Sequence, residues 1–318
     1  MTKKTYILVL VLLVAIGVHA TKYAGEIFQL SSGVVNQAMG NTGLTFGNSL
    51  SVAYWNPALL ADTPLRGIEA VHTRHFEGLL QQNQFSIISG ETKPISIIIN
   101  HLGIDKVKLT ALENPSDSLS NENRPIVIKT VSNHDIILYS GIARQLGGGW
   151  VYGVSPKFVY RSLAENNGWG FGADLGVLYD RGSSLALGAN LRNVFSTQVL
   201  WENGTHEIAI PSLDLEAGYR KLILGGRIPV FVALRSQVYA EDREEASTLS
   251  ASIFSADFHA GVSIVPVPEI SLMGGYDIDS VTAGIALRLK RFGFDYAFKD
   301  GAADGLGSTQ RIAMSIFW

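Results

Sequence analysis

The chain has 318 residues, of which 47% are hydrophobic and 17% charged, with 33 glycines, no cysteine and a formal net charge of −3. Without cysteine there is no disulfide, thiolate metal site, cysteine nucleophile or lipid-modified cysteine at the mature N-terminus. A charge balance so near neutrality points neither to nucleic acid nor to an anionic membrane surface as partner.

The first twenty residues read as an export signal. Lys3 and Lys4 form a basic start, and Tyr6 to Val18 is an apolar run too short to span a bilayer comfortably. Val18-His19-Ala20 then places small residues at the two positions a signal peptidase reads, so cleavage is expected after Ala20. Beyond Ala20 no stretch approaches the ~18 consecutive apolar residues of a membrane helix. An exported, apolar chain without membrane helices is expected.

Residues 21–63 do not alternate. They are small and glycine-rich (Gly25, Gly33, Gly40, Gly43, Gly47) and lead into Val52–Leu60. There Asn56 followed by Pro57 fits the cap and first turn of a short helix, because the Asn oxygen can accept free amides and Pro has no amide to satisfy. A compact segment ahead of a barrel is expected in the lumen, as a plug or hatch.

Residues 64–318 separate at period two into an apolar face and a polar or small face. Phe171, Ala173, Leu175, Val177 and Tyr179 share one face, as do Leu213, Leu215, Ala217 and Tyr219. The same holds for Val281, Ala283, Ile285, Leu287 and Leu289, and for Phe292, Phe294, Tyr296 and Phe298. Segments of about ten residues suit tilted strands crossing a hydrocarbon core, and aromatics at their ends suit interfacial girdles. The reading is all-β: a transmembrane antiparallel β-barrel. At ~18 residues per strand with its connection, its length gives about fourteen strands, with twelve and sixteen left open. The polar stretches 104–125, 196–210 and 240–250 are expected as exposed loops. At the C-terminus Ile312, Met314, Ile316 and Trp318 alternate to the last residue. A final strand ending on an aromatic resembles the signal by which bacterial outer-membrane barrels are recognised for assembly. The partners this implies are outer-membrane lipid and the barrel-assembly machinery.

The opposite face carries Asp174, Asp214, Glu216, Arg220, Arg235, Arg288, Lys290, Asp295 and Lys299, interspersed with glycines such as Gly176, Gly218 and Gly284. Both signs of charge in a narrow barrel favour ion pairs and hydrogen bonds to a plug over charges facing channel water. Glycines leave room for its backbone to approach. Pro156 interrupts Trp150–Arg161, a segment otherwise suited to a strand. Since Pro donates no ladder bond, a bulge or wall gap is expected, either a harmless bulge near a rim or a kink where a lateral opening could form.

Nothing marks an enzyme. His72 and His75, three apart on a strand, point to opposite faces and hold no common metal. No Gly-x-Ser-x-Gly, His-Glu-x-x-His or phosphate-binding loop occurs, and no cofactor is expected.

One resemblance is specific. Asn36-Gln37-Ala38-Met39-Gly40-Asn41-Thr42-Gly43, followed by Ala53-Tyr54-Trp55-Asn56-Pro57-Ala58-Leu59-Leu60, resembles the opening of the PorV/PorQ proteins and the wider FadL-like outer-membrane barrels. The likeness continues in Leu191-Arg192-Asn193-Val194, in Phe294-Asp295-Tyr296-Ala297-Phe298 and in Gly307-Ser308-Thr309-Gln310-Arg311-Ile312. Asn41 stands where a glycine is usual, and Thr309-Gln310 replaces Thr-His. The resemblance implies a fourteen-stranded barrel with an N-terminal hatch in a Gram-negative outer membrane. PorV-like members act in type IX secretion and bind cargo at the cell surface; FadL-like members pass hydrophobic molecules inward through the wall. The Tyr-Trp-Asn-Pro-Ala stretch and the charged lumen favour the first, a secretion adaptor whose partners are secretion-system proteins and exported cargo. The alternative is a transporter of small hydrophobic molecules, with a pocket at Met39, Gly40, Phe46, Tyr54, Trp55, Asn56 or Pro57.

Overall fold

The computed structural model describes residues 22–301 and 307–318; the expected export signal, residues 1–20, lies outside them. Strands β1 (Gly67–His75), β2 (Leu80–Ser89), β3 (Ile95–Leu112), β4 (Pro125–Gly147), β5 (Trp150–Leu163) and β6 (Asn166–Asp180) follow one another as antiparallel neighbours. Next come β7 (Leu185–Arg192), the short β8 (Thr197–Trp201) and β9 (His206–Ala209), then β10 (Ser212–Ile223), β11 (Ile228–Tyr239) and the short β12 (Leu249–Ala251). The chain ends with β13 (Phe254–Val267), β14 (Ile270–Asp277), β15 (Ser280–Leu289), β16 (Phe292–Lys299) and β17 (Thr309–Phe317). Because β17 pairs back onto β1, the sheet closes: fourteen strands form the ring, and β8, β9 and β12 are side pieces. Closure leaves the ring without an unpaired edge, the condition for spanning lipid with strands.

The burial pattern is inverted relative to a water-soluble protein. Asp174 and Asp214 are 0% exposed, whereas Phe171 and Leu234 are 62% and Met314 63% exposed. Along β10, Ser212, Asp214, Glu216 and Gly218 turn inward and Leu213, Leu215, Ala217 and Tyr219 outward. Every side chain of a strand must go to one wall or the other, so a polar lumen and a greasy exterior follow from the same alternation. Exposed large apolar side chains over a whole circumference cost too much in water and are at home in hydrocarbon.

One end of the barrel carries short turns, as between β4 and β5 and between β10 and β11, and also the start of β1 and the end of β17. The other end carries the longer connections, 113–124, 193–211 and 240–253. Three stretches expected as loops are partly structured. Residues 104–112 belong to β3, which with β4 makes a hairpin longer than a bilayer requires; 196–210 holds the β8–β9 hairpin; and 240–250 holds a 3-10 turn, Glu244–Ala246, and the start of β12. The apolar alternation lapses there because strand outside the hydrocarbon needs no greasy face.

At Pro156 the ladder has a gap rather than a bulge. The β4–β5 register is the same on both sides of it, Tyr139 facing Lys157 and Ile142 facing Val154, and only the two intervening pairs are missing from the ladder. The wall is interrupted again after β7. β6 pairs with β7 over Leu175–Asp180 and with β8 over Gly168–Phe171, and between β7 and β8 the chain bulges through Asn193–Ser196. Both Asn193 and Ser196 adopt positive φ, which an insertion of this kind demands.

The segment before β1 has no regular period. It contains a 3-10 helix Lys22–Phe28, single helical turns at Val34–Ala38 and Val52–Trp55, and a 3-10 helix Pro57–Ala61. Asn56 caps the last, accepting from the Ala58 amide at 3.0 Å with Pro57 at the first position. From Val34 to Leu60 nearly every residue is buried. Its bonds run to inward-facing residues on β2, β7, β10, β11, β14, β15 and β17.

Candidate functional site

The site is built on one row of the sheet. Gly188 on β7 faces Glu216 on β10, Glu216 faces Arg235 on β11, Arg235 faces His259 on β13, and His259 faces Asp277 on β14. All five share the inward face because the register is unbroken across these strands. Apposed to this row is the turn Gly40–Thr45. The amides of Gly43, Leu44 and Thr45 donate to the Glu216 carboxylate at 2.7, 2.9 and 2.9 Å, and the Thr45 hydroxyl donates to it at 2.6 Å. The Asn41 amide group donates to Asp277 Oδ2 at 2.7 Å, and Arg235 Nη1 donates to the Asn41 carbonyl at 2.7 Å. Gly40 donates to Thr282 Oγ1 at 3.0 Å. Hydrogen bonds to an ionised group are roughly twice as strong as neutral ones, and Glu216 collects four of them.

Glycines make the approach possible. A side chain at Gly188 would strike the Leu44 carbonyl, one at Gly218 the Thr45 hydroxyl, one at Gly261 the Met39 carbonyl, and one at Gly275 the Gly40 amide. The wall is therefore drawn in until backbone meets backbone.

A second cluster grips Tyr54-Trp55-Asn56. Asp214 accepts from Arg192 Nε at 2.5 Å and from Arg235 Nη2 at 2.9 Å. The Arg192 guanidinium lies over the Tyr54 ring at 4.6 Å, and that of Arg235 over the Trp55 ring at 5.2 Å. Two cations over two aromatic faces, with one carboxylate between them, lock the segment by cation–π attraction and charge pairing together. Asn190 donates to the Trp55 carbonyl and Asn56 to the carbonyls of Leu44 and Val177. Burial pushes the Tyr54 phenol above its ordinary range despite the opposing pull of Arg192, so it remains a neutral donor to the Phe28 carbonyl at 3.0 Å. Beside this cluster Asp174 holds Lys157 Nζ at 2.7 Å and the Asn193 amide at 2.8 Å, tying the bulge after β7 to β5 and β6. On the far wall Arg311, 1% exposed, donates to the carbonyls of Ser31 and Gly33 at 2.8 Å each.

The expected residues are thus divided. Asp214, Glu216, Met39, Gly40, Tyr54, Trp55, Asn56 and Pro57 converge at the contact between segment and wall, and Asp174 lies beside it, bonded to Lys157 and Asn193 of the wall. Arg288 and Asp295 pair with each other away from it, and Arg220 sits half-exposed at the short-turn rim, paired with Asp180. Lys290 occupies a turn. Asn190, His259 and Asp277 are not among the expected residues, and Arg192 and Arg311 stand only within the stretches that carry the resemblance; the signal for each is its inward position in an alternating segment.

Two cavities flank the turn. At the long-loop end a polar cavity of about 140 Å³ is lined by Asn41, Tyr54, Trp55, Arg235, His259 and Asp277 among others. At the short-turn end a cavity of about 660 Å³ is lined by Thr45, Phe46, Leu59, Leu178 and Phe231, with the Phe46 and Phe231 rings 4.6 Å apart. Met39 faces neither and is packed on the wall.

Solved structures with this architecture exist. The Pseudomonas putida toluene transporter TodX superposes with a TM-score of 0.57 at 12% identity over 91% of this chain and 99% of that one. The Ralstonia pickettii toluene transporter TbuX gives 0.55 at 13% identity over 91% and 98%. CymD, a monoaromatic hydrocarbon channel, gives 0.52 at 12% identity over 94% and 98%. The fold is that of the FadL-type outer-membrane barrels. No protein-family model and no curated protein sequence matches the chain.

Proposed function

We propose that this protein is an outer-membrane channel for small hydrophobic molecules, held closed in this state by the hatch, residues 21–63. The observation that carries the reading is the pair of cavities separated by the turn Gly40–Thr45, whose attachment to the wall is made of hydrogen bonds, several of them to charged side chains, that can be exchanged for water. The short-turn end, with its aromatic-lined cavity, faces the periplasm, and the long β3–β4 hairpin faces outward. Residues 1–20 serve as the export leader, and β17, ending at Trp318, as the assembly signal. The fold shared with toluene transporters and a monoaromatic hydrocarbon channel supports this alternative over a secretion adaptor. The secretion reading keeps the sequence resemblance at Ala53–Leu60, and that stretch is buried rather than offered to cargo.

The test is entry of radiolabelled toluene into vesicles carrying a lipopolysaccharide outer leaflet. Entry is expected to be faster with this protein than with an unrelated barrel of similar size. Equal rates would overturn the reading.

A further inference from the structure

The wall is stepped at the short-turn end. β3 starts at Ile95, which faces Ile142 of β4, whereas residues 143–147 of β4 run on with a partner only in β5. Pro94, immediately before Ile95, has no amide with which to extend the ladder. The step forms a cavity of about 880 Å³ between the β2–β3 turn, residues 90–94, and the β4–β5 hairpin. Its chemistry divides with depth in the bilayer. Toward the hydrocarbon it is lined by Ile95 and Ile142, 51% and 56% exposed, and by Val154 opposite Ile142. The outward row of β5 carries this apolar surface on through Pro156 and Phe158. Toward the water it is lined by Arg66, Lys93 and Arg144. Tyr152 faces Arg144, and beside it the Trp150 and Tyr179 rings, 4.7 Å apart, mark an interfacial girdle.

These cations are not neutralised within the protein. Arg66 is directed at carbonyls: its Nε donates to Gly90 at 2.6 Å and its Nη1 to Leu65 and Thr63 at 2.7 and 2.9 Å, which fixes the guanidinium without an anion. The side chains of Lys93 and Arg144 make no hydrogen bond or ion pair with any described residue. Against the three stand Glu91, which lines the cavity, and Asp62, which accepts from Gln145 at 2.9 Å. Three positive charges and two negative leave one positive in excess, a local surplus that the chain's net charge of −3 conceals.

One excess cation above an apolar trough, at the end of a hydrocarbon belt, is the complement of a lipid with one phosphate diester and an uncharged headgroup. We infer that the step is a binding site for an anionic phospholipid of the phosphatidylglycerol type. Its phosphate lies on Lys93 and Arg144 beside Arg66, and one acyl chain lies on Ile95, Ile142 and Val154. A choline or ethanolamine headgroup would bring a further cation among three. The site goes beyond the channel reading and depends only on the orientation given above, which puts the step in the leaflet opposite the lipopolysaccharide.

The test mixes the full protein in detergent with equal amounts of phosphatidylglycerol and phosphatidylcholine of the same chains, and counts bound lipid by native mass spectrometry. Phosphatidylglycerol is expected to be held in preference. Lys93→Gln and Arg144→Gln should each lower that preference about fivefold, the worth of one basic residue at a membrane surface. Arg227→Gln, which removes an exposed cation from another short turn, should leave it unchanged. Glycerophosphoglycerol, the headgroup without chains, should not compete. In the native chain, phosphatidylglycerol with a photoactivatable group on its acyl chain should label peptides containing Ile142 or Val154, a reading that needs no variant. The site is overturned by equal retention of the two lipids, or by a preference indifferent to Lys93→Gln and Arg144→Gln or lowered as much by Arg227→Gln. Competition by the bare headgroup, or labelling spread evenly round the wall, overturns it too. Toluene entry into vesicles is read separately: its failure removes the channel without touching the lipid site.

Discussion

Glu216 and Arg235 face each other on β10 and β11 and hold opposite polarities of the same turn. The carboxylate takes the amides of Gly43, Leu44 and Thr45, and the guanidinium donates to the carbonyl of Asn41. A turn six residues long has no sheet or helix to satisfy its backbone groups, and each one buried without a partner would cost about 1–3 kcal/mol. The two side chains perform for the hatch what a ladder performs for the wall.

Replacing Glu216 with Gln should release this turn first. The amide retains one acceptor oxygen but brings an NH2 group against the donors of Gly43–Thr45. Hydrogen exchange of the peptide spanning 40–46 should accelerate by about tenfold or more, the equivalent of at least one lost bond of ~1.4 kcal/mol, while exchange in β4 and β5 stays unchanged. Uniform exchange across both regions would show that Glu216 does not hold the turn.

A side chain at Gly261 should be far more damaging than one on the outer face nearby. Gly261→Val drives its Cβ into the Met39 carbonyl, whereas Ala217→Val adds methyls to a lipid-facing surface. Costs of about 4 kcal/mol or more and under about 1 kcal/mol are expected respectively, from overpacking against backbone and from a tolerated surface change. Urea unfolding midpoints in the same detergent decide it; similar midpoints would mean that wall and hatch are not in forced contact.

Asn56 makes three bonds at once: it accepts from Ala58 and donates to the carbonyls of Leu44 and Val177. Asn56→Ala should lower stability by about 2–3 kcal/mol, a cap of ~1 kcal/mol plus two carbonyls left without their donor. Asn56→Asp preserves the cap but sets a carboxylate oxygen against the Leu44 and Val177 carbonyls in a fully buried site, so its loss should exceed that of Asn56→Ala. Thermal shifts of the folded form on unheated gels rank the three.

Orientation in lipid is open to a direct measurement. Leu234, 62% exposed in the middle span of β11, should cost about 2–4 kcal/mol on conversion to Arg, while the same change at Leu224, 71% exposed in the turn after β10, should cost about 0–1 kcal/mol. Folding titrations into phospholipid vesicles give both values. Equal costs would contradict a hydrocarbon belt around the wall.

The face assignment of the strands was legible in the sequence because it depends only on local geometry: period two sends Leu213, Leu215, Ala217 and Tyr219 one way and Asp214 and Glu216 the other, whatever the neighbours are. The absence of period in 21–63 likewise marked a stretch that carries no strand among its described residues. What alternation cannot say is who meets whom. Arg192 and Arg235 share Asp214 because β7, β10 and β11 align in one register, and Arg311 reaches Ser31 and Gly33 because β17 closes onto β1. Those partners lie up to 280 residues apart, and one slip in register would turn each of them to the lipid. Irregularities in the wall illustrate the same division: Pro156 marked a gap by its chemistry, and two ladder pairs are missing there, whereas the extra residues at Asn193–Ser196 carry no such mark in the sequence. Chemistry along the chain decided which groups turn inward, and closure of the sheet decided which of them touch.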